Sequence, residues 1–195
     1  MTRNEFYQFV GKFAVEFEGV CSEMEDAIED VFNRAGLECK NIQERIGLTN
    51  IILDNKTAEP LQKMLRALWV NELENSEATI DIQDFAKKVI TFVFSAMQKV
   101  IKERNLIIHS KWVIPRDEQG NGKKTVLGRK CKSSSSGDST EFPAYSPEDF
   151  NNAINRCKEV KKMIACVKRS IYIDMYVSLN KSFAIDNRNK ISFRN

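Results

Sequence analysis

The stretch "DIQDFAKKVITFVFSAMQKVIKERNLII", residues 81–108, has the strongest helical pattern in the chain. Its apolar residues recur every three or four positions, which places them on one broad stripe of a helix: Phe85, Val89, Phe92, Val93, Ala96, Val100 and Ile101. After Trp112 the pattern stops, and "PRDEQGNG" at residues 115–122 has the composition of a turn. We therefore expect a long amphipathic helix that ends near residue 108.

Helical periodicity also marks the chain before this stretch. Apolar residues from Phe6 to Val31 recur at spacings of three and four, and Gly36 is a suitable stop. A second helix is predicted over residues 38–53. Thr57 can cap a third helix that carries Pro60 in its first turn, because proline needs no hydrogen-bonded N–H there.

Order returns after the turn at "YSPEDFNNAI", residues 145–154. Ser146 stands at an N-cap, Pro147 at the first helical position and Asp149 at the acidic position of a capping box. This last long helix is predicted to run to about residue 176. The remaining residues, 177–195, alternate weakly and are expected to form a strand or a mobile tail.

The segment between the two long helices, residues 113–145, has no helical pattern. Val113–Ile114 and residues 125–127 are suited to pair as a short hairpin, and "SSSSGDST" at 133–140 is typical of a flexible loop. The predicted fold is therefore all-α: an up-and-down bundle of four to five helices over residues 1–176, with an irregular insertion at 113–145 before the last long helix.

Composition narrows the class of protein. A chain of 195 residues with 42% hydrophobic content can bury one sizeable core. The absence of a long apolar run or signal-like start predicts a soluble cytoplasmic protein without a membrane partner. Five cysteines without a Cys-x-x-Cys pair, together with a single histidine, argue against a zinc site or a disulfide framework. We expect neither a metal nor a cofactor.

Charge is distributed unevenly along the chain. Residues 1–110 carry 13 Lys and Arg against 18 Asp and Glu, whereas residues 111–195 carry 17 against 9. This asymmetry predicts either a polyanionic partner near the second half or a solvated basic surface. Trp112 can stack on a base or seal the end of the bundle. The candidate RNA-binding residues are Lys111, Trp112, Arg116, Lys123, Lys124, Arg129 and Lys130.

The lone histidine, His109, lies at the end of the long helix. Asn105 precedes it by four residues and shares its face, whereas Arg104 lies about 140° around the helix and reaches it only if its side chain folds across. The apolar residues between them, 106–108, are expected to anchor the segment in the core. Alternatively, His109 simply interacts favourably with the helix dipole.

An imidazole and a guanidinium together suit phosphate-ester chemistry without a metal. The imidazole exchanges a proton near neutral pH, and the guanidinium binds phosphate oxygens in a forked arrangement. In RNA the 2′-hydroxyl is an internal nucleophile, so cleavage requires one base and one acid. A two-fold dimer that apposes two copies of the helix would supply the second His109.

The motif "RNLIIH", residues 104–109, resembles the Arg-polar-x-x-x-His signature of HEPN domains, in the branch that reads Arg-Asn-x-x-x-His. Ser110 stands where this family commonly has Gly, and Trp112 falls at its aromatic position. "SEMEDAI", residues 22–28, is similar to the acidic segment of the family's first helix, where Glu25 would be the acid near the Arg-His pair.

This resemblance implies a metal-independent endoribonuclease that acts as a homodimer with a composite site, with Arg104, Asn105, His109 and Glu25 as the catalytic set. It also implies a toxin or antiviral defence effector, with RNA and a cognate antitoxin or regulatory protein as partners. The alternatives are a non-catalytic member of the fold that binds RNA, nucleotide or protein, and a purely structural helical dimer.

Overall fold

A computed structural model describes residues 1–34, 52–53, 56–115, 125–134, 137–173, 175–186, 188 and 190–194. Helices make up 75% of these described residues. This part of the chain contains five helices: α1 (Arg3–Arg34), α2 (Ala58–Glu74), α3 (Ile80–His109), α4 (Pro147–Ile173) and α5 (Met175–Ser182). The predicted all-α fold class with a small β insertion is confirmed.

The chain divides into two compact units, and each draws on several of the helices. The first comprises Met1–Gly19 and Gln98–Lys158, and the second comprises Val20–Met97 and Glu159–Asn195. In the first unit, Phe9 stacks on Phe150 and Glu16 faces Lys158, so α1 and α4 run in the same direction there. This unit carries the C-terminal end of α3 and the whole of the β insertion.

The core of the second unit follows the apolar stripes read from the sequence. Trp69 of α2 is fully buried and meets the ring of Phe94 of α3 edge-on at 5.7 Å. Gln62 is also buried, and its amide donates to the Phe94 carbonyl at 2.9 Å, which satisfies a polar group that would otherwise be costly to bury. Thr57 stands at the predicted N-cap of α2, although its side chain makes no capping bond.

The start of α4 shows the predicted capping box. The Ser146 N–H and hydroxyl both donate to Asp149 Oδ2, at 2.8 and 2.7 Å, and the Asp149 N–H donates back to Ser146 Oγ at 3.2 Å. These bonds satisfy amide groups that the first helical turn leaves without partners. Ser146 therefore fixes the point at which the irregular insertion returns to helix.

The insertion forms an antiparallel sheet with four strands: β1 (Lys111–Val113), β2 (Val126–Ser134), β3 (Gly137–Glu141) and β4 (Ala144–Tyr145). β2 pairs with all three others, and the predicted hairpin is present with Val113 opposite Leu127. The prediction of a flexible loop over 133–140 is wrong, because the pairing of β2 with β3 continues up to Ser134 and Gly137. Main-chain hydrogen bonds hold this ladder, and serine-rich composition does not reveal them.

The C-terminal residues form α5 and a hairpin of β5 (Phe183–Ile185) and β6 (Ile191–Phe193). Phe183 is fully buried and contacts Phe193 at a ring-centroid distance of 5.2 Å. The weak alternation over 177–195 thus corresponds to a paired strand segment preceded by a short helix. The helix predicted over 38–53 lies outside the described residues except for residues 52–53, which are helical.

Candidate active site at the end of α3

Helix α3 ends at His109, which makes this histidine its last helical residue. Ile107 is 1% exposed and anchors the final turn, whereas Ile108 is 37% exposed and Leu106 is half-buried. The expectation that all three would anchor the core is therefore wrong. Successive helical residues point about 100° apart, so three in a row cannot share one buried face.

The Arg104 side chain folds across the helix and meets His109. Its Nη1 lies 2.7 Å from His109 Nε2 and 3.2 Å from Asn105 Oδ1. A guanidinium nitrogen only donates, so Nε2 is the acceptor in this contact. Asn105 thus binds Arg104, and the three residues form one cluster.

The two contacts of Arg104 leave its bidentate edge open. Nη1 donates its two hydrogens to His109 and Asn105, and within the described part of the chain no hydrogen bond or ion pair involves Nε–H or Nη2. The guanidinium carbon lies 5.7 Å from the ring centroid of Phe17, which is buried in the same unit. This cation–π contact and the two hydrogen bonds hold the Nε/Nη2 edge in place, and that edge matches two phosphate oxygens.

Two side chains from the sheet hold the end of α3. Lys130 Nζ donates to the Asn105 carbonyl at 2.6 Å, and Trp112 Nε1 donates to the Ile107 carbonyl at 2.8 Å. The Ile107 carbonyl is one of the last four of the helix, which have no intrahelical partner, so the Trp112 indole satisfies it. The Trp112 ring also packs against Phe6, Phe150 and Tyr145. Of the two roles left open for Trp112, this packing corresponds to sealing the bundle end.

Two of the predicted RNA-binding residues stand side by side on the sheet. Lys111 of β1 lies directly opposite Arg129 of β2, and both are exposed. Like charges in this cross-strand position repel each other unless an anion lies between them. Because Lys111 follows His109 by two residues, this pair of cations is adjacent in sequence to the Arg104–His109 cluster.

The other predicted residues divide into two groups. Arg116, Lys123 and Lys124 lie outside the described residues. Glu25 is half-buried on α1, in the portion that belongs to the second compact unit. Over the described ranges no group of three or more His, Cys, Asp or Glu side chains could hold a metal ion, and no helix is long and apolar enough to cross a membrane.

A cleft of about 800 Å³ lies beside this cluster, and it was not predicted from the sequence. Four cations line it, Lys99, Lys102, Lys130 and Arg156, together with Glu103, Asn105, Leu106 and Tyr145. Lys99, Lys102 and Leu106 follow the i, i+3, i+7 spacing of one helix face, which is the signal that could have indicated it.

One wall of the cleft is fixed by Glu103, whose side chain is only 12% exposed. Arg156 binds its two oxygens through Nε, at 3.0 Å, and through Nη2. The Tyr145 hydroxyl donates to the same carboxylate at 3.4 Å. Burial and the negative charge of Glu103 raise the pKa of Tyr145 to about 12, so Tyr145 remains a protonated donor near neutral pH.

The first compact unit therefore combines an imidazole, a guanidinium with two hydrogen-bonded neighbours and a cleft lined by four cations. Such a set suits an anionic group better than an apolar one, because Arg104 and the cations of the cleft favour negative charge. No protein-family model, curated protein or solved structure matches the chain.

Proposed function

We propose that this protein is a metal-independent endoribonuclease of HEPN type that cleaves RNA by attack of the 2′-hydroxyl. The observation that carries the proposal is the contact of Arg104 Nη1 with His109 Nε2 at 2.7 Å, which leaves the Nε/Nη2 edge of Arg104 open. A phosphate bound at that edge lies close to the imidazole of His109. The Arg-Asn-x-x-x-His resemblance supports the same activity.

In the proposed reaction, a phosphate draws Arg104 Nη1 away from His109, and the freed Nε2 removes the proton from a ribose 2′-hydroxyl. The 2′-oxygen attacks the adjacent phosphorus, the bond from phosphorus to the 5′-oxygen breaks, and an acid protonates that oxygen. Products are a 2′,3′-cyclic phosphate and a 5′-hydroxyl end. Arg104 stabilises the negative charge that develops on the phosphate oxygens. Such electrostatic stabilisation is usually the largest contribution to the rate enhancement of an enzyme.

The proposed acid is His109 of the partner subunit, since the chain has no other histidine. A two-fold dimer that brings together the C-terminal ends of its two α3 helices places two such clusters at one interface. The exposed position of His109 is compatible with this arrangement. A cytoplasmic toxin or defence effector, restrained by an antitoxin or regulatory protein, is the proposed biological role.

The direct test is cleavage of single-stranded RNA by the purified protein in the presence of a chelator. His109→Ala and Arg104→Ala should each lower the rate at least about 100-fold, because general acid–base groups and charge-stabilising donors typically contribute that much. The matched control is Arg66→Ala, which removes an exposed arginine of α2. Wild-type rates in both site variants would refute the proposal.

Two further readouts separate the alternatives. Products with 2′,3′-cyclic phosphate ends identify the reaction, whereas RNA binding without turnover identifies a binding module. If each site requires both copies of His109, an equal mixture of wild type and His109→Ala, after subunit exchange, should retain about one quarter of the activity of the same total amount of wild type. A remaining half would show that each chain acts alone.

A further inference from the structure

The cleft lined by Lys99, Lys102 and Arg156 has no part in the reaction described above. We infer that it is a second phosphate-binding site, which holds the RNA backbone on one side of the scissile phosphate. This inference rests on the proposed function, because it takes RNA as the ligand. The RNA chain would then run away from His109 through this cleft beside α3.

The first argument is the state of the two lysines on α3. Lys99 and Lys102 are both exposed, and no hydrogen bond or ion pair joins either amine to another group in the described ranges. They are three residues apart, so their side chains are neighbours on one helix face. Two adjacent amines without a carboxylate partner attract an anion that can contact both.

The second argument is that the acidic group in the cleft is already neutralised. Glu103 is held by the Nε and Nη2 groups of Arg156 and by the Tyr145 hydroxyl. Its charge is therefore compensated locally, and the free lysines determine the charge that an incoming ligand meets. Arg156 remains 43% exposed, so its outer edge is also accessible to a phosphate.

The third argument is continuity with the proposed reaction centre. Asn105 contributes to both sites: its Oδ1 accepts from Arg104, and the residue also lines the cleft. A chain of phosphates whose scissile unit binds Arg104 can therefore continue past Asn105 toward Lys102 and Lys99. A volume of about 800 Å³ accommodates one or two nucleotides of such a chain.

The test uses binding of a labelled single-stranded RNA in the full-length His109→Ala protein, so that no cleavage occurs. Each phosphate contact on a single strand contributes about 0.7 to the slope of log K against log salt. Lys102→Ala should lower that slope by about 0.7 and weaken binding about fivefold at 0.1 M salt. Lys99→Ala together with Lys102→Ala should lower it by about twice as much, whereas Lys102→Arg should retain it.

The matched control is Lys87→Ala, which removes an exposed lysine of the same helix that does not line the cleft. Its slope should equal that of the parent protein, and circular dichroism should show equal helicity in all variants. In a cleavage-competent background, Lys102→Ala should raise KM with kcat unchanged, because a flanking phosphate is bound equally in the ground and transition states.

An equal loss of slope in Lys87→Ala and Lys102→Ala would overturn the inference, since it would show only diffuse attraction. A second arm measures binding of ATP to the same proteins. Tight ATP binding that depends on Lys102, without any Lys102 dependence of RNA binding, would also overturn it and assign the cleft to a free nucleotide. If the wild type binds RNA through Lys102 but does not cleave it, the cleft survives and the proposed reaction fails.

Discussion

Replacement of Gly128 by alanine should destabilise the first compact unit and loosen the end of α3. An ideal Cβ at this position would lie 2.8 Å from Pro143 Cγ and 3.1 Å from Trp112 Cζ3, whereas ordinary van der Waals contacts lie at 3.4–4 Å. The obstacle is space, because Gly128 lies in strand β2 opposite Trp112 and its N–H donates to the Pro143 carbonyl at 2.7 Å.

Neither neighbour can move away cheaply. Pro143 is a rigid ring, and Trp112 is held by its bond to the Ile107 carbonyl and by the packed rings of Phe6 and Phe150. Forcing one extra methyl group into such a site typically costs about 1–3 kcal/mol. Because the strain falls on Trp112, it is transmitted to the turn of α3 that carries His109.

Urea unfolding followed by circular dichroism measures the effect as a lower midpoint with an unchanged slope. Gly11→Ala is the matched control in the same unit, since a Cβ there meets nothing within 4 Å. It lies inside helix α1, where alanine is favoured over glycine by about 0.5–1 kcal/mol, so this control should be stabilised. Equal midpoints for Gly128→Ala and wild type would refute the packing argument.

Three further substitutions test the cap of α4 and the end of α3. Ser146→Ala should cost about 1 kcal/mol of unfolding free energy, because it removes the N-cap of α4. Hydrogen bonds from the Ser146 N–H and hydroxyl lower the pKa of Asp149. The carboxylate therefore stabilises the folded state fully above its unfolded-state pKa near 4, and this stabilisation is lost as the pH falls through the lower folded-state pKa. The difference in urea midpoint between wild type and Asp149→Asn should shrink as the pH is lowered through this range. Trp112→Phe keeps an aromatic ring but removes the donor to the Ile107 carbonyl, and should cost about 1 kcal/mol, with a larger loss contradicting a simple hydrogen-bond role.

The long helices and their caps could be predicted because they depend on local sequence. The stripe from Phe85 to Ile101 sets the period of α3, and Ser146 with Asp149 sets the start of α4 through bonds that span only three residues. The hairpin between Val113 and Leu127 was also accessible, since a turn composition separates two short apolar segments. Each of these signals is contained within a few tens of residues.

The cleft could not be predicted because its members meet only through tertiary packing. Glu103 and Arg156 are 53 residues apart, and Tyr145 joins them from a strand that sequence composition did not reveal. Reading α4 alone, Arg156 is one of several cations on a polar face. The contact between Arg104 and His109 could not be predicted either, because helical geometry places the two residues on different faces and the contact depends on how the Arg104 side chain folds.

The contact between Arg104 and His109 has a direct bearing on the proposed reaction. The lone pair of Nε2 faces the guanidinium in this contact, so Nε2 can act as the proposed base only after Arg104 has moved away. In the proposed reaction, a phosphate that binds the Nε/Nη2 edge draws Arg104 away, and the lone pair of Nε2 becomes available beside the substrate. The base is therefore released by the ligand on which it is proposed to act.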